Sequence, residues 1–508
     1  MNFPVWELEL GGGLLIAVVA ILHVYVSHFA IGGGLFLVVT EHYAYRRDDR
    51  HLKDYLMLHS KFFALVSLVF GAVSGVGIWF SIGLVSPAAT NALIRLFVWG
   101  WATEWVFFFV EIAAAIIYYT TWDRVSRKVH LAVGWIYFIA AFLSLVVING
   151  IVSFMLTPGA WAQTGSFWDA FLNPTYWPSL ATRTAFCIGL AGVYALLTGV
   201  FIKHKATRAR IVRYAALWAF VGTMVAIPAL FWYHGLLPAG SAEFFAGGMP
   251  KAALAGRVLI WGGLAFAVVL LVPIIFPKNF GFGSAVTFAL VALTLFGASE
   301  WVREAVRKPY VIYGYMYGNG MRVAEAEAVK AQGGILANAR WVENKTPEPN
   351  VAVGQEVFRV ACRSCHTIDG YRGLRGRLMG LDEEFVYEMI GRLEYARGAM
   401  PPFPGVDIER RALAKYLVSE AGAQWSMISG EEVFDKRCGF CHSREGYRPL
   451  LPSFEGNSRQ EFIDLLPVLG DMADGMATWS GTDEEAQMLA DFIESWYQAK
   501  PDADAGGN

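Results

Sequence analysis

Charge is scarce in this chain. Of its 508 residues only 17% are Asp, Glu, Lys or Arg, against 56% hydrophobic, and mean hydropathy is +0.42. An ordinary soluble domain carries about 25% charged residues, so that class is excluded for most of the length. The charges also nearly cancel, 41 basic against 43 acidic for a net −2, which says little about partners; no nucleic-acid partner is expected. Cysteine is equally sparse, with five residues, four of them held in two short motifs. Basic residues are missing from Met1–Glu9, where a cleavable leader would need them, and the apolar run that follows is long. The first helix therefore reads as a retained anchor.

What is present in their place is apolar sequence long enough to span a bilayer. Eight such stretches precede residue 302, at about 11–40, 60–84, 94–121, 129–156, 178–202, 211–236, 256–276 and 280–301. The loop after the first contains Arg46, Arg47, Arg50 and Lys53; that after the third contains Arg124, Arg127 and Lys128; that after the fifth contains Lys203, Lys205, Arg208, Arg210 and Arg213. The loops after the second and fourth, Ser86–Thr90 and Pro158–Trp177, have no Lys or Arg, and that after the sixth has only Lys251 and Arg257. By the positive-inside rule the odd loops are cytoplasmic. The N-terminus and everything after the eighth helix then lie outside.

The four motif cysteines stand in Cys362-Arg363-Ser364-Cys365-His366 and Cys438-Gly439-Phe440-Cys441-His442. Cys-x-x-Cys-His is the attachment signature of a c-type haem, two thiols bonding the porphyrin and the His reaching iron. A lone Cys-x-x-Cys would also suit a redox dithiol or half a zinc site, but here the surroundings repeat as well. Gly354–Phe358 returns as Gly430–Phe434, Gly370-Tyr371-Arg372 as Gly446-Tyr447-Arg448, Met400 as Met476, and Ala414–Leu417 as Ala490–Ile493. The offsets 430 − 354, 446 − 370, 476 − 400 and 490 − 414 all equal 76, which marks a duplicated unit. Each unit resembles a small class I cytochrome c. The resemblance of Gly398-Ala399-Met400-Pro401-Pro402-Phe403 to that family's Met-loop makes Met400 the second axial ligand opposite His366, and His/Met ligation raises the potential. The second unit lacks the prolines, and Met472 lies nearby; the repeat offset favours Met476. Core filling is the competing role for these methionines. Covalent haem attachment occurs outside the bacterial inner membrane, in agreement with the loop charges.

Ionisable residues inside an apolar span are expensive and ask for a function. The first helix contains His23 and His28, the third Glu104 and Glu111, and the sixth ends near His234. Glu104 and Glu111 are two turns apart on one helix face, whereas five residues put His23 and His28 about 140° apart, so they cannot share one iron. Buried His and Glu together suggest haem ligation with proton delivery; interhelical hydrogen bonding is the plainer role.

With these residues, positions 1–320 resemble the catalytic subunit (subunit I) of cytochrome bd-type oxygen reductases. The resemblance makes His23 the helix-one haem ligand and Glu104 and Glu111 the acidic pair, one at the oxygen site and one on the proton path. It aligns Glu304-Ala305-Val306-Arg307-Lys308-Pro309-Tyr310 with the family's Glu-x-Gly-Arg-Gln-Pro-Trp, whose Glu ligates a high-spin haem b, and it sets Arg257 beside a haem. The chain also departs from the family. The low-spin haem's His falls near Thr182-Arg183, its Met partner at Leu259, and the quinol loop is missing. His28 or His234 then becomes a candidate ligand for an additional haem b.

The expected fold is all-α, a bundle of about eight transmembrane helices in residues 1–310 followed by two small cytochrome c domains, 351–425 and 426–508. Residues 311–350 are expected as a docking helix and linker. The expected cofactors are two covalent haem c and two or three non-covalent haems of b or d type. The expected reaction is reduction of O2 to water with electrons from a periplasmic cytochrome c. The expected partners also include the lipid bilayer and, by family analogy, a second membrane subunit. An electron-transfer cytochrome without oxygen chemistry, serving the quinone pool, or a reductase of another gas such as NO are the alternatives.

Overall fold

A computed structural model of the chain describes residues 3–343, 345–396, 399–422, 426–472 and 475–498. Gly398 of the expected Met-loop lies outside them.

Eight helices are long and apolar enough to cross a membrane: α1 Gly12–Arg46, α2 Arg50–Val85, α3 Val98–Thr120, α4 Arg127–Phe154, α5 Tyr176–Gly199, α6 Lys205–His234, α7 Pro250–Ile275 and α8 Phe282–Ala305. All eight expected spans are found. The second starts ten residues earlier than hydropathy suggested, because the polar stretch from Arg50 continues the helix, capped at Asp49, whose carboxylate accepts from the Leu52 N–H. Within α2, Leu65–Phe70 widens into a π-turn, a feature that often adjoins functional sites.

The centre of the bundle is α1, α4, α5 and α6, and small residues set its spacing. A Cβ on Gly32 of α1 would stand 1.8 Å from the Cys187 carbonyl oxygen of α5, and one on Gly222 of α6 would stand 2.2 Å from the Gly189 nitrogen of α5. Such backbone approach is the usual substitute, in lipid, for a hydrophobic drive between helices. The large apolar side chains of α2 and α3 instead point outward, Val73 and Val76 each 70% exposed and Trp99 78%, as a lipid-facing surface requires.

Beyond α8 the expected docking helix is replaced by a hairpin, β1 Tyr310–Ile312 paired with β2 Met316–Tyr317, and short helical turns at Ala326–Ala331 and Gly334–Asn338. Gly314 and Gly320 hold φ of 68° and 81°, conformations that break a helix.

The tail then forms two small helical units that share one apolar core. In the first, α9 Val351–Ala361 crosses α10 Asp407–Ala421; in the second, α11 Gly430–Val433 opens into a wider turn through Cys438 and crosses α12 Asp483–Gln498. The repeat survives at the crossing point. A Cβ on Gly354 would be 2.0 Å from the Ala412 carbonyl oxygen, and one on Gly430 would be 2.0 Å from that of Met488. Phe358 and Phe434, one helical turn further, pair with Tyr416 and Phe492.

Candidate haem sites

In both tail units the motif His is held the same way. His366 Nδ1 lies 3.2 Å from the Arg372 carbonyl oxygen and His442 Nδ1 lies 3.1 Å from that of Arg448. Donation from Nδ1 fixes the tautomer and orientation of the ring. The carbonyls are aimed by a repeated backbone conformation, Arg372 at φ 56° and Arg448 at φ 43°, sparsely populated for residues other than Gly. Burial pushes His366 down to about 4, with Arg372, Arg377 and Lys308 adding to it and the backbone hydrogen bond opposing; a neutral imidazole is the form that ligates. Burial also pushes the Cys362 and Cys438 thiols up to about 12.

A crevice in the second unit brings Cys438, Cys441, His442 and Met476 together beneath Leu450, Phe462 and Trp479. Met472 is 58% exposed and does not line it. Phe385, Met389 and Arg392 of the first unit close its far wall, so the second crevice faces the first unit. In the first unit, Met400 is half-buried in the chain that follows Ala399, as are Cys362, Cys365 and His366.

The first unit sits on the bundle end from which the chain emerges. The Tyr371 N–H donates to the Leu10 carbonyl at 3.0 Å, and Trp301 Nε1–H donates to the Tyr371 hydroxyl at 3.2 Å. Ala399 packs into a cluster with Val302 and Val306 of the α8 end, and Tyr447 of the second unit lies against Gly248.

Inside the bundle, His23 Nδ1 is 3.1 Å from Ser74 Oγ, just beyond the π-turn of α2. His28 Nδ1 is 2.7 Å from the Val24 carbonyl oxygen, and its buried Nε2 has no partner among the described residues. The rings of Phe186 and Phe296 flank it.

Glu104 and Glu111 do not meet each other but each meets α4. Ser144 Oγ donates to Glu104 at 3.0 Å, and the Tyr137 hydroxyl, also 3.0 Å from the Ala30 carbonyl, lies 3.0 Å from Glu111 Oε1. A third contact was not anticipated. The Tyr118 hydroxyl donates to Glu41 at 2.8 Å, His130 Nδ1 is 2.7 Å from the other Glu41 oxygen, and all three groups are buried. Residues 104, 111 and 118 on α3 and 144, 137 and 130 on α4 each step by seven, two turns at a time, so the antiparallel pair carries three polar rungs on one seam. That spacing is visible in the sequence; Glu41 was legible only as a helix end.

Glu304 pairs with Arg307 through one carboxylate oxygen and with Lys308 at 2.8 Å through the other. With both oxygens taken by cations, this arrangement does not fit Glu304 as an iron ligand. Arg307, 4% exposed, also lies 3.4 Å from Met155 Sδ. Arg257 is exposed and has no partner among the described residues.

Between α5, α6, α7 and α8, at the end that carries the tail units, lies a cavity of about 630 Å³. Thr182, Arg183 and Leu259 line it, as does His234. Glu300 pairs there with Arg183 at 3.3 Å and Arg303 at 3.0 Å. Glu300 and Arg183 sit in the quoted stretches of sequence, but their pairing across α5 and α8 has no local signal.

Eight membrane helices, a seam of buried ionisable groups and two Cys-x-x-Cys-His units are the features of an integral membrane, haem-binding electron-transport protein of the oxidoreductase class. Residues 14–237 match the family model of cytochrome bd terminal oxidase subunit I, and residues 349–417 match that of cytochrome c oxidase, cbb3-type, subunit III. Residues 14–237, from α1 to α6, thus match a cytochrome bd subunit I domain, and the tail opens with a match to a cbb3-type cytochrome c domain. The solved bd oxidase of Geobacillus thermodenitrificans matches in fold, at 16% identity and TM-score 0.51 over 60% of this chain and 88% of that one. None of the curated proteins matches the chain.

Proposed function

We propose that this chain is a terminal oxygen reductase of cytochrome bd type that takes electrons through its two c haems, from a soluble cytochrome c outside the inner membrane, and reduces O2 to water. The observation that carries the proposal is the placement of both haem loops on one end of a bundle whose interior carries the Glu104, Glu111 and Glu41 seam. The short connection from α6 to α7, residues 235–249, supports a donor other than quinol. Two covalent haems and two or three non-covalent ones, a bacterial inner-membrane location with the N-terminus and tail units outside, and a second membrane subunit belong to the same proposal.

Bound haem supplies O2 binding and the electrons for its reduction, four electrons and four protons yielding two waters. His23, with Nδ1 occupied by Ser74, offers Nε2 to the reactive haem, and Glu104 or Glu111 completes that site. The α3–α4 seam moves protons. Glu41 and His130 accept them at the cytoplasmic end, and Glu111 and Glu104 relay them inward, each oriented by a hydroxyl on α4. Rungs seven residues apart are about 10 Å apart along the axis, a distance that ordered water bridges.

The test is O2 uptake by purified protein, with reduced cytochrome c and with quinol as separate donors. Uptake with cytochrome c is expected, together with a CO-induced shift in the reduced spectrum. Absence of both would identify an electron carrier. Glu111→Gln is expected to cut uptake roughly a hundredfold, the low end of a proton-transfer contribution, while reduction of the c haems proceeds at its normal rate.

A further inference from the structure

The cavity among α5, α6, α7 and α8 stands where the bd resemblance places a low-spin haem, yet its walls no longer carry that haem's ligands. Thr182, Arg183 and Leu259 line it; a hydroxyl, a guanidinium and an alkyl chain are not haem-iron ligands. Glu300, the wall's buried carboxylate, is tied to two arginines. The cavity has nevertheless kept a volume of about 630 Å³, within the ~300–1,000 Å³ of cofactor and ligand sites, and its lining is mainly apolar, with Phe186, Leu230 and Phe231 among the walls.

One imidazole faces it. His234 closes α6, lines the cavity, and stacks edge-on against Phe245 with ring centroids 4.9 Å apart. Its side chain is exposed. On the opposite wall Arg303 uses Nε and Nη2 on Glu300, while its Nη1 is buried without a partner. A buried guanidinium N–H without an acceptor is costly, and a carboxylate is its natural complement. A porphyrin with an iron centre and carboxylate arms matches an imidazole on the cavity wall, an apolar slot and an unpartnered arginine N–H.

We propose that this cavity binds a non-covalent haem through a single protein ligand, His234, with Arg303 holding a propionate. The ligand would thus stand at the end of α6 rather than on α5 and α7. The cavity's roof is the place where the tail units touch the bundle. Phe245 lines the cavity and belongs, with Ala399 of the first unit's Met-loop, to one apolar cluster, and Tyr447 of the second unit lies against Gly248. The inference rests on the proposed function only in taking the bundle to hold non-covalent haem.

The test uses the full chain purified with its covalent haems, and measures acid-extractable haem per covalent haem c. His234→Ala is expected to lose one extractable haem per chain, with exogenous imidazole restoring it. Leu230→Trp, which fills the cavity and leaves His234 in place, is expected to lose the same haem without imidazole rescue. Arg303→Gln should lower occupancy and leave the ligand's spectral signature unchanged. An extractable-haem ratio unaffected by His234→Ala, or a loss that imidazole does not restore, overturns His234 as ligand. Release of a bound quinone by Leu230→Trp, with haem content unchanged, overturns the site. Protein that shows the predicted haem loss but consumes no O2 keeps this site and refutes the oxygen-reductase reading; O2 uptake with unchanged extractable haem does the reverse.

Discussion

At the residue scale, each tail unit is organised around one imidazole whose Nδ1 is fixed by a backbone carbonyl. The carbonyl is aimed by an arginine in a left-handed conformation, Arg372 in one unit and Arg448 in the other, so the ligand's posture is set by backbone. The opposite side depends on a side chain alone. Met476 lies in the second crevice with the attachment residues, whereas Met472 is turned outward. Met476→Ala should therefore lower the midpoint potential of one c haem, by on the order of 100 mV within the ~0.8 V range that axial ligands span. Met472→Ala should leave both potentials in place. A redox titration of the purified protein reads the difference, and an effect of Met472→Ala alone would reverse the assignment.

At the element scale, the glycines of the repeat are contact points. α9 and α10 cross at Gly354, α11 and α12 at Gly430, with a neighbouring carbonyl where a methyl group would go. Gly430→Ala should destabilise the second unit by about 1–3 kcal/mol, the usual cost of forcing a methyl into a filled space, seen as a lower unfolding midpoint of that unit's haem band. Much of this was legible beforehand. Eight membrane helices followed from apolar length, the tail units from a 76-residue repeat, and the α3 carboxylates from their cost in lipid. Less legible was anything made by two distant segments. His23 meets Ser74, Tyr137 bridges α1 to Glu111, and Arg183 reaches Glu300, contacts that depend on helix rotation and bundle order rather than on local pattern. The hairpin after α8 was missed for another reason. Its glycines at positive φ break an Ala- and Glu-containing stretch that otherwise reads as helix.

At the scale of the whole molecule, the first tail unit is fastened to the bundle by its haem loop. Gly370 allows this, because a Cβ there would stand 2.4 Å from the Glu9 carbonyl oxygen. Gly370→Ala should weaken the seat by about 1 kcal/mol or more, a shift of roughly fivefold or more in the seated fraction. Stopped-flow mixing would show slower oxidation of the c haems by the membrane haems, with the c-haem potentials unchanged. Unaltered kinetics would mean that electrons do not use this contact. Both tail units belong to the same chain as the bundle and pack on it, so the proposed donor and acceptor would travel as one covalent body. Transfer between them is then a first-order event whose rate is independent of protein concentration. Dilution would slow only the encounter with the external carrier, so the same preparation, assayed at falling concentration, separates recruitment of electrons from their onward passage.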